Sequence, residues 1–259
     1  RSYKLENFWK WLYRVHFLSK KNPIVFIKNQ KIVGHMGLIP FWLNVKGKKV
    51  TAAWYADLYV LPEFRGQGIA TKITEELMKL TDVYLSFGNK QSLAIFKKYG
   101  WQKTYDTYLH YFFLKPMDHP KFIKFSKYLK WIYFLINYIS KYFFSRFYAL
   151  KINKENILNV HSLNQDNIKI FINSENTNSL IKTIIDEKYM QWRFLESPDL
   201  KNYKIFSDNN MSALVRERKD KEFSWHLDIL LMNNLKCNKN TISLLASIIL
   251  WAKKYNYSY

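Results

Sequence analysis

With a single cysteine, Cys237, among 259 residues, the chain can form no intramolecular disulfide and no cysteine-built zinc site, which points to a reducing, cytoplasmic setting. Its six histidines are scattered without ligand spacing, so metal chemistry has no support. No secretory leader is legible, because basic residues run throughout residues 1–28 and no apolar core of the needed length separates them. The uncharged aromatic run at 131–140 is bounded by Lys130 and Lys141 and reaches about half a membrane span. Internal repeats, low-complexity tracts and nucleic-acid module signatures are missing as well. The chain opens on Arg1 rather than Met, as a trimmed segment of a longer chain does.

Against these absences stand a hydrophobic content of 48% and an aromatic content of 18%, enough for one large core or two modest ones. The formal net charge of +21 is uneven. Residues 1–118 hold 19 basic and 8 acidic side chains, residues 119–154 hold 8 and 0, and residues 155–259 hold 14 and 12. Such an excess favours anionic partners. The accompanying wealth of Asn, Ile, Tyr and Phe is equally the mark of an AT-rich gene, and that reading is preferred over nucleic acid.

Apolar positions Leu5, Phe8, Trp9, Leu12, Val15 and Phe17 predict an opening helix over 4–18. Strands are expected at 24–27, 32–38 and 50–60, joined by turns at Asn29-Gln30 and Gly47. A helix at 69–80, a strand at 83–87, a helix at 89–99 closed by Gly100, and a strand at 105–114 complete this half. Beyond it, a helix at 180–195, strands at 203–206, 212–218 and 223–231, and a helix at 240–254 repeat the order helix, strands, helix.

The segment Leu58-Tyr59-Val60-Leu61-Pro62-Glu63-Phe64-Arg65-Gly66-Gln67-Gly68-Ile69-Ala70 carries the strongest chemical signal. It reads as a strand, a glycine-bearing bend and the start of a helix. Backbone N–H groups at a helix N-terminus converge on an anion, and glycines let a diphosphate approach them. Arg65 can add charge-assisted hydrogen bonds.

This loop resembles the cofactor loop of the GNAT family of acyl-CoA-dependent acyltransferases, with Arg65, Gly68 and Ala70 in its three defining places. The approach through Pro62-Glu63 is similar too. A second block, from Phe87-Gly88-Asn89 to Tyr99-Gly100-Trp101, is similar to the family's later helix, which begins at Asn and ends at Gly before an aromatic. The resemblance covers roughly residues 5–114. It implies a mixed α/β (α+β) fold, a twisted sheet flanked by helices, and acetyl-CoA as acyl donor with no metal. It places the pantetheine arm against the backbone of Leu58, Tyr59 and Val60, and the pyrophosphate on the amides of Arg65, Gly66, Gln67, Gly68, Ile69 and Ala70. Asn89 and Ser92 stand near the cofactor. Many family members carry a proton-donating Tyr where this chain has Phe96; Tyr84, Tyr105 or water could replace it, or the thiolate leaves without an acid. Asp57, a carboxylate inside an apolar strand, is the candidate base, its structural alternative being a buried group bonded to backbone or to His35.

The expected division is an acyltransferase domain at 1–118, a basic aromatic linking helix at 119–154, and a degenerate second copy at 155–259 whose corresponding loop, 233–239, lacks glycine. The linking helix reads as a packed helix with solvated lysines; an anionic membrane surface and nucleic acid are its alternatives. Trp192 and Arg193 are either substrate contacts across the domain boundary or a helix packing face. The functional expectation is N-acetyl transfer to a small-molecule primary amine, an amino sugar among the candidates, by a cytoplasmic protein with peripheral membrane contact as an added option. The alternatives are a tandem cell-wall-type transferase using aminoacyl-tRNA and a non-catalytic acyl-CoA-binding module.

Overall fold

Two long runs of β-branched and aromatic residues meet at a Lys46-Gly47 turn, where both residues have positive φ (50° and 86°) and the Asn44 side chain accepts from the Gly47 amide at 2.8 Å. This turn matches the right-handed twist of a hairpin. In the computed structural model, which describes residues 2–14, 23–88, 90–102, 130–149, 158–172, 180–208, 211–219, 225–233, 239–255 and 257, that hairpin is the spine of the first of two units. Its arms are β2 (Lys31–Val45) and β3 (Lys48–Val60). β1 (Ile24–Lys28) pairs antiparallel with the start of β2 across an Asn29-Gln30 turn of the same kind, and β4 (Val83–Leu85) pairs parallel with β3 at Ala52–Trp54 alone.

One face of this sheet is covered by α2 (Ile69–Leu77) and α3 (Lys90–Lys98), whose Ile69, Ile73, Leu77 and Phe96 pack against Val33, Met36, Leu38 and Tyr55. The helix α1 (Ser2–Arg14) packs at Gly37, where an added Cβ would overlap the Tyr13 ring. A glycine inside a strand marks such a close approach. Gly37→Ala should therefore cost roughly 1–3 kcal/mol through overpacking, seen as a fall of several degrees in Tm; an unchanged Tm would mean that Tyr13 is free to leave its place.

The chain packs as two compact units that do not follow its order. Residues 177–198 belong with residues 1–107 in the first unit, and the second unit comprises 108–176 and 199–259. The predicted helix over 180–195 is instead β6 (Ile181–Thr183), the short helix α5 (Glu187–Met190) and a π-helical turn at Gln191–Leu195. β6 pairs antiparallel with Leu43–Val45 of β2, which β1 leaves bare, and the Ile184 amide extends the pairing to the Trp42 carbonyl at 2.8 Å. Pro40, which has no amide proton, falls in the gap between the two edge strands. Asp186 caps α5 by accepting from the Tyr189 amide.

The second unit has an antiparallel sheet in the order β5 (Asn159–Ser162), β7 (Tyr203–Ser207), β8 (Ser212–Lys219), β9 (Trp225–Met232), so β5 precedes the strands foreseen from sequence. α6 (Lys239–Lys254) packs Leu244 and Ile248 on Phe206, Ala213 and Val215. α4 (Lys130–Ala149) exposes Trp131, Tyr138, Tyr142, Phe143 and Phe147. Among the described residues no helix is long and apolar enough to cross a membrane. The expected strand at 105–114, Asn89, and most of the 233–239 loop lie outside the described residues.

Candidate active site

The glycine loop takes the form its sequence predicts. After a short 3₁₀ turn at Pro62–Phe64, Gly66 and Gly68 adopt left-handed backbone (φ 77° and 75°), and Gly68 is the N-cap of α2 with no side chain capping it. An added Cβ at either glycine would meet nothing within 4 Å, so the space in front of both is open. An open, uncapped helix N-terminus offers its first amides to an anion, and that is the fit an acyl-CoA pyrophosphate requires. Ile69 contributes its backbone here while its side chain is buried in the core, and Ala70 is half-buried.

Arg65 turns back over its own strand, donating from Nε to the Val60 carbonyl at 3.1 Å and lying 5.8 Å from the Tyr59 ring centre. The exposed Gln67 accepts from Lys28 Nζ at 2.9 Å, so a lysine from β1 joins the loop; its distance in sequence had hidden it.

The strand entering the loop is bulged. Register runs from Gly37 opposite Ala56 to His35 opposite Tyr59, so Asp57 and Leu58 together face Met36. Asp57 takes the extra place with φ 56°, a conformation Asp tolerates better than most residues. The bulge shifts the alternation by one: Ala56 and Asp57 both line a cavity, while Leu58 and Val60 pack toward the α2 and α3 core. β4 diverges from β3 beyond Trp54, leaving the Leu58–Val60 edge unpaired on that side among the described residues.

Asp57 differs from its expected setting. It is exposed rather than buried, and its partner is Tyr13, whose hydroxyl donates to Asp57 Oδ2 at 2.5 Å. His35 instead packs edge-on against Tyr59. Burial, followed by the hydrogen bond and charge of Asp57, pushes the Tyr13 hydroxyl far above the ordinary phenol range, so it remains a donor. Tyr13 was absent from the helical stripe read in the sequence. The glycine at 37, small where the strand is otherwise bulky, was the one available signal.

Phe96 is explained by packing. Gly100 has φ 75°, its amide meets the Lys97 carbonyl, and the Trp101 amide reaches back to the Phe96 carbonyl at 3.1 Å. That is a Schellman closure of α3, with its customary apolar contact made by Phe96 stacked on Trp101 at 4.3 Å. Tyr84 packs into the same aromatic cluster, beside Trp101 and Tyr55. The Tyr99 hydroxyl is bonded to Glu75, which pushes it up to about 12. Ser92 sits in the first turn of α3, close to Gly88.

The cavity that Asp57 lines measures about 470 Å³. Its walls include Phe41 and Trp54 from the central strands, Phe87 from the stretch after β4, and Thr183, Tyr189 and Arg193 from the returning segment. Trp192, by contrast, is buried against α1. Its indole donates to the Trp11 carbonyl at 2.9 Å, and the Trp11 indole donates to the Trp192 carbonyl at 2.7 Å. Each bond satisfies a carbonyl that a helix end or a π turn leaves over. Trp192 is thus a packing residue, and Arg193 faces the cavity within a single unit. Among the described residues no group of three or more His, Cys, Asp or Glu gathers as a metal site.

Comparison with known proteins agrees with this geometry. Residues 4–104 match the family model described as an acetyltransferase (GNAT) domain. Among solved structures, a GCN5-related N-acetyltransferase from Kribbella flavida is similar over 97% of this chain and 59% of its own, at 11% identity and a TM-score of 0.52. A conserved protein of unknown function from Enterococcus faecalis, described as a probable N-acyltransferase, is similar over 90% of this chain and 52% of its own, at 15% identity and a TM-score of 0.50. The chain therefore spans little more than half of either structure. No curated protein matches it. Residues 4–104 are thus a GNAT acetyltransferase domain by this match, and the mixed sheet flanked by helices is the fold that the Kribbella structure shares.

Proposed function

We propose that the first unit transfers an acetyl group from acetyl-CoA to a primary amine on a small molecule. The observation that carries this reading is the left-handed Gly68 opening an uncapped α2 directly after a bulged strand whose Leu58–Val60 stretch has no strand partner on its β4 side among the described residues. The amides of Arg65 to Ala70 would hold the pyrophosphate, and the backbone of Leu58, Tyr59 and Val60 the pantetheine arm. Ser92, in the first turn of α3, would stand near the cofactor, a role the family resemblance also gives to Asn89. Acetyl-CoA supplies an activated thioester carbon when bound. Asp57, directly or through one water, takes the proton from the incoming ammonium, so that the nitrogen's lone pair is available. Tyr13 is a positioning residue that holds the carboxylate by its hydroxyl hydrogen. Phe96 has no proton to give, so the departing thiolate is protonated from solvent or leaves as the anion.

The similarity to the Kribbella structure over nearly the whole chain supports reading the second unit as the companion domain of a tandem arrangement. A binding-only protein is the second reading, favoured by the burial of Phe96 in the core. Calorimetric titration of acetyl-CoA and of free CoA, followed by assay of CoA release in the presence of amines, tests both. Micromolar binding with release supports the transferase; binding without release for any amine supports the module; no binding overturns both.

A further inference from the structure

The cavity beside Asp57 contains one acid from β3 and one base, Arg193, from the returning segment. Arg193 is half-buried, and the Trp11 ring lies 5.1 Å from its guanidinium carbon. Among the described residues no carboxylate lies within ion-pair distance of it. A guanidinium over an indole keeps its N–H groups for hydrogen bonding; one is shared with the Tyr189 hydroxyl, and the others match the oxygens of a carboxylate or phosphate. The adjoining Tyr189 hydroxyl is pushed up by burial, against the pull of the Arg193 charge, and so keeps its proton as a further donor. Thr183 adds a hydroxyl on the same wall.

The placement of Arg193 follows from the local backbone. The π-helical turn at Gln191–Leu195 inserts one residue into the helix begun by α5, so Trp192 packs on α1 while its neighbour Arg193 reaches the cavity. Such turns recur at functional sites. Trp192 and Trp11, locked by their two reciprocal hydrogen bonds, hold the turn in place. The rest of the cavity is an aromatic surface, with Trp54 and Phe87 stacked at 4.7 Å and Phe41 beside Trp54. Half-buried charge with no protein counterion is costly unless a ligand supplies one.

We propose that the acceptor is a small amine that also carries an oxyanion, and that Arg193, with Tyr189 and Thr183, binds that oxyanion while Asp57 meets the ammonium. This rests on the proposed transferase reading for the fate of the amine, but the anion subsite is tested without it. Matched pairs of amines that differ only in the anionic group serve as probes: O-phosphoethanolamine against ethanolamine, and γ-aminobutyrate against butylamine. Their binding to the protein is followed by saturation-transfer NMR with and without acetyl-CoA, and CoA release is measured in parallel.

At least one anionic member should bind about tenfold or more tightly than its neutral partner, as expected for a charged hydrogen-bonded pair. The pair showing the preference says whether phosphate or carboxylate is the group recognised. In Arg193→Gln the preference should collapse toward unity, with acetyl-CoA calorimetry reporting that the variant is folded. Should that variant fail to fold, Arg193→Lys keeps the charge and the stem but not the fork, and should lose part of the preference. Equal binding of both members of each pair to the wild type, no binding of any anionic member, or a preference that survives both substitutions would overturn the proposal. Failure to bind acetyl-CoA would instead count against the transferase reading, while an anion preference in that same protein would still stand.

Discussion

Asp57→Asn is expected to lower the turnover of amine acetylation at least about tenfold, a modest figure for loss of a general base. The substitution is well suited to the position. Asn is as tolerant of the left-handed backbone at φ 56° as Asp, so the bulge should persist. The Asn side-chain oxygen can still accept from Tyr13. What disappears is the negative charge, and with it the capacity to take a proton from an ammonium ion. Acetyl-CoA calorimetry on the same variant separates a chemical defect from a binding defect. Tyr13→Phe keeps the ring against Gly37 and removes the donor alone, so a smaller loss of turnover is expected from it. If Asp57→Asn turned over at the wild-type rate, the carboxylate would have no part in the reaction and the Tyr13 bond would be purely structural.

The second large effect is expected at Gly68. Valine there must adopt φ near 75°, which costs roughly 1–2 kcal/mol for an ordinary L residue and more for a β-branched one. Its side chain would also project into the open space at the start of α2. The strain itself should appear as a lower Tm; acetyl-CoA affinity should fall by at least about tenfold, equivalent to about 1.4 kcal/mol, if valine relaxes out of this conformation and turns the first amides of α2 away, and beyond detection if the side chain fills the anion position. Gly47→Val is the matched control. Gly47 has a similar φ of 86°, also has nothing within 4 Å of an added Cβ, and lies in the hairpin turn rather than the loop. Comparable losses of Tm in the two variants, with acetyl-CoA binding lost only at Gly68, would assign the loop to the cofactor. Equal binding losses would show that valine acts through global stability.

These two positions also mark how far local sequence can be read. Gly68 was legible because a bend into a helix is written in consecutive residues: strand, proline, glycines, then an apolar stripe. The end of α3 was legible for the same reason, since Gly100 and Trp101 spell the closure with Phe96 one turn earlier. Asp57 stood out as a charge in an apolar strand, but the bulge that exposes it depends on the register with β2, which a single strand does not encode. Its partner was missed because Tyr13 is 44 residues away. The segment at 180–195 misled for a different reason. Its apolar spacing fits a helix, yet Ile181–Thr183 finds a bare strand edge in the first unit, and tertiary pairing overrides local periodicity. Arg193 could then be seen only as a residue on a helix face, because the π turn that aims it has no clear sequence signature.

The return of residues 177–198 to the first unit bears on how the protein is made. The reciprocal bonds between Trp11 and Trp192 join residues 181 positions apart, so α1, once it has left the ribosome, waits for a partner in a later part of the chain. At about 5–20 residues per second, that interval is roughly 10–40 s. During it, Trp11 and the Leu43–Val45 edge of the sheet are without the partners they hold in the folded protein. A nascent chain of this kind exposes apolar surface and an open strand edge together, the combination that recruits chaperones or favours misassembly. The same wait means that the wall bearing Arg193 is the last part of the cavity to form, so a stalled or shortened chain would display the glycine loop without a closed acceptor site.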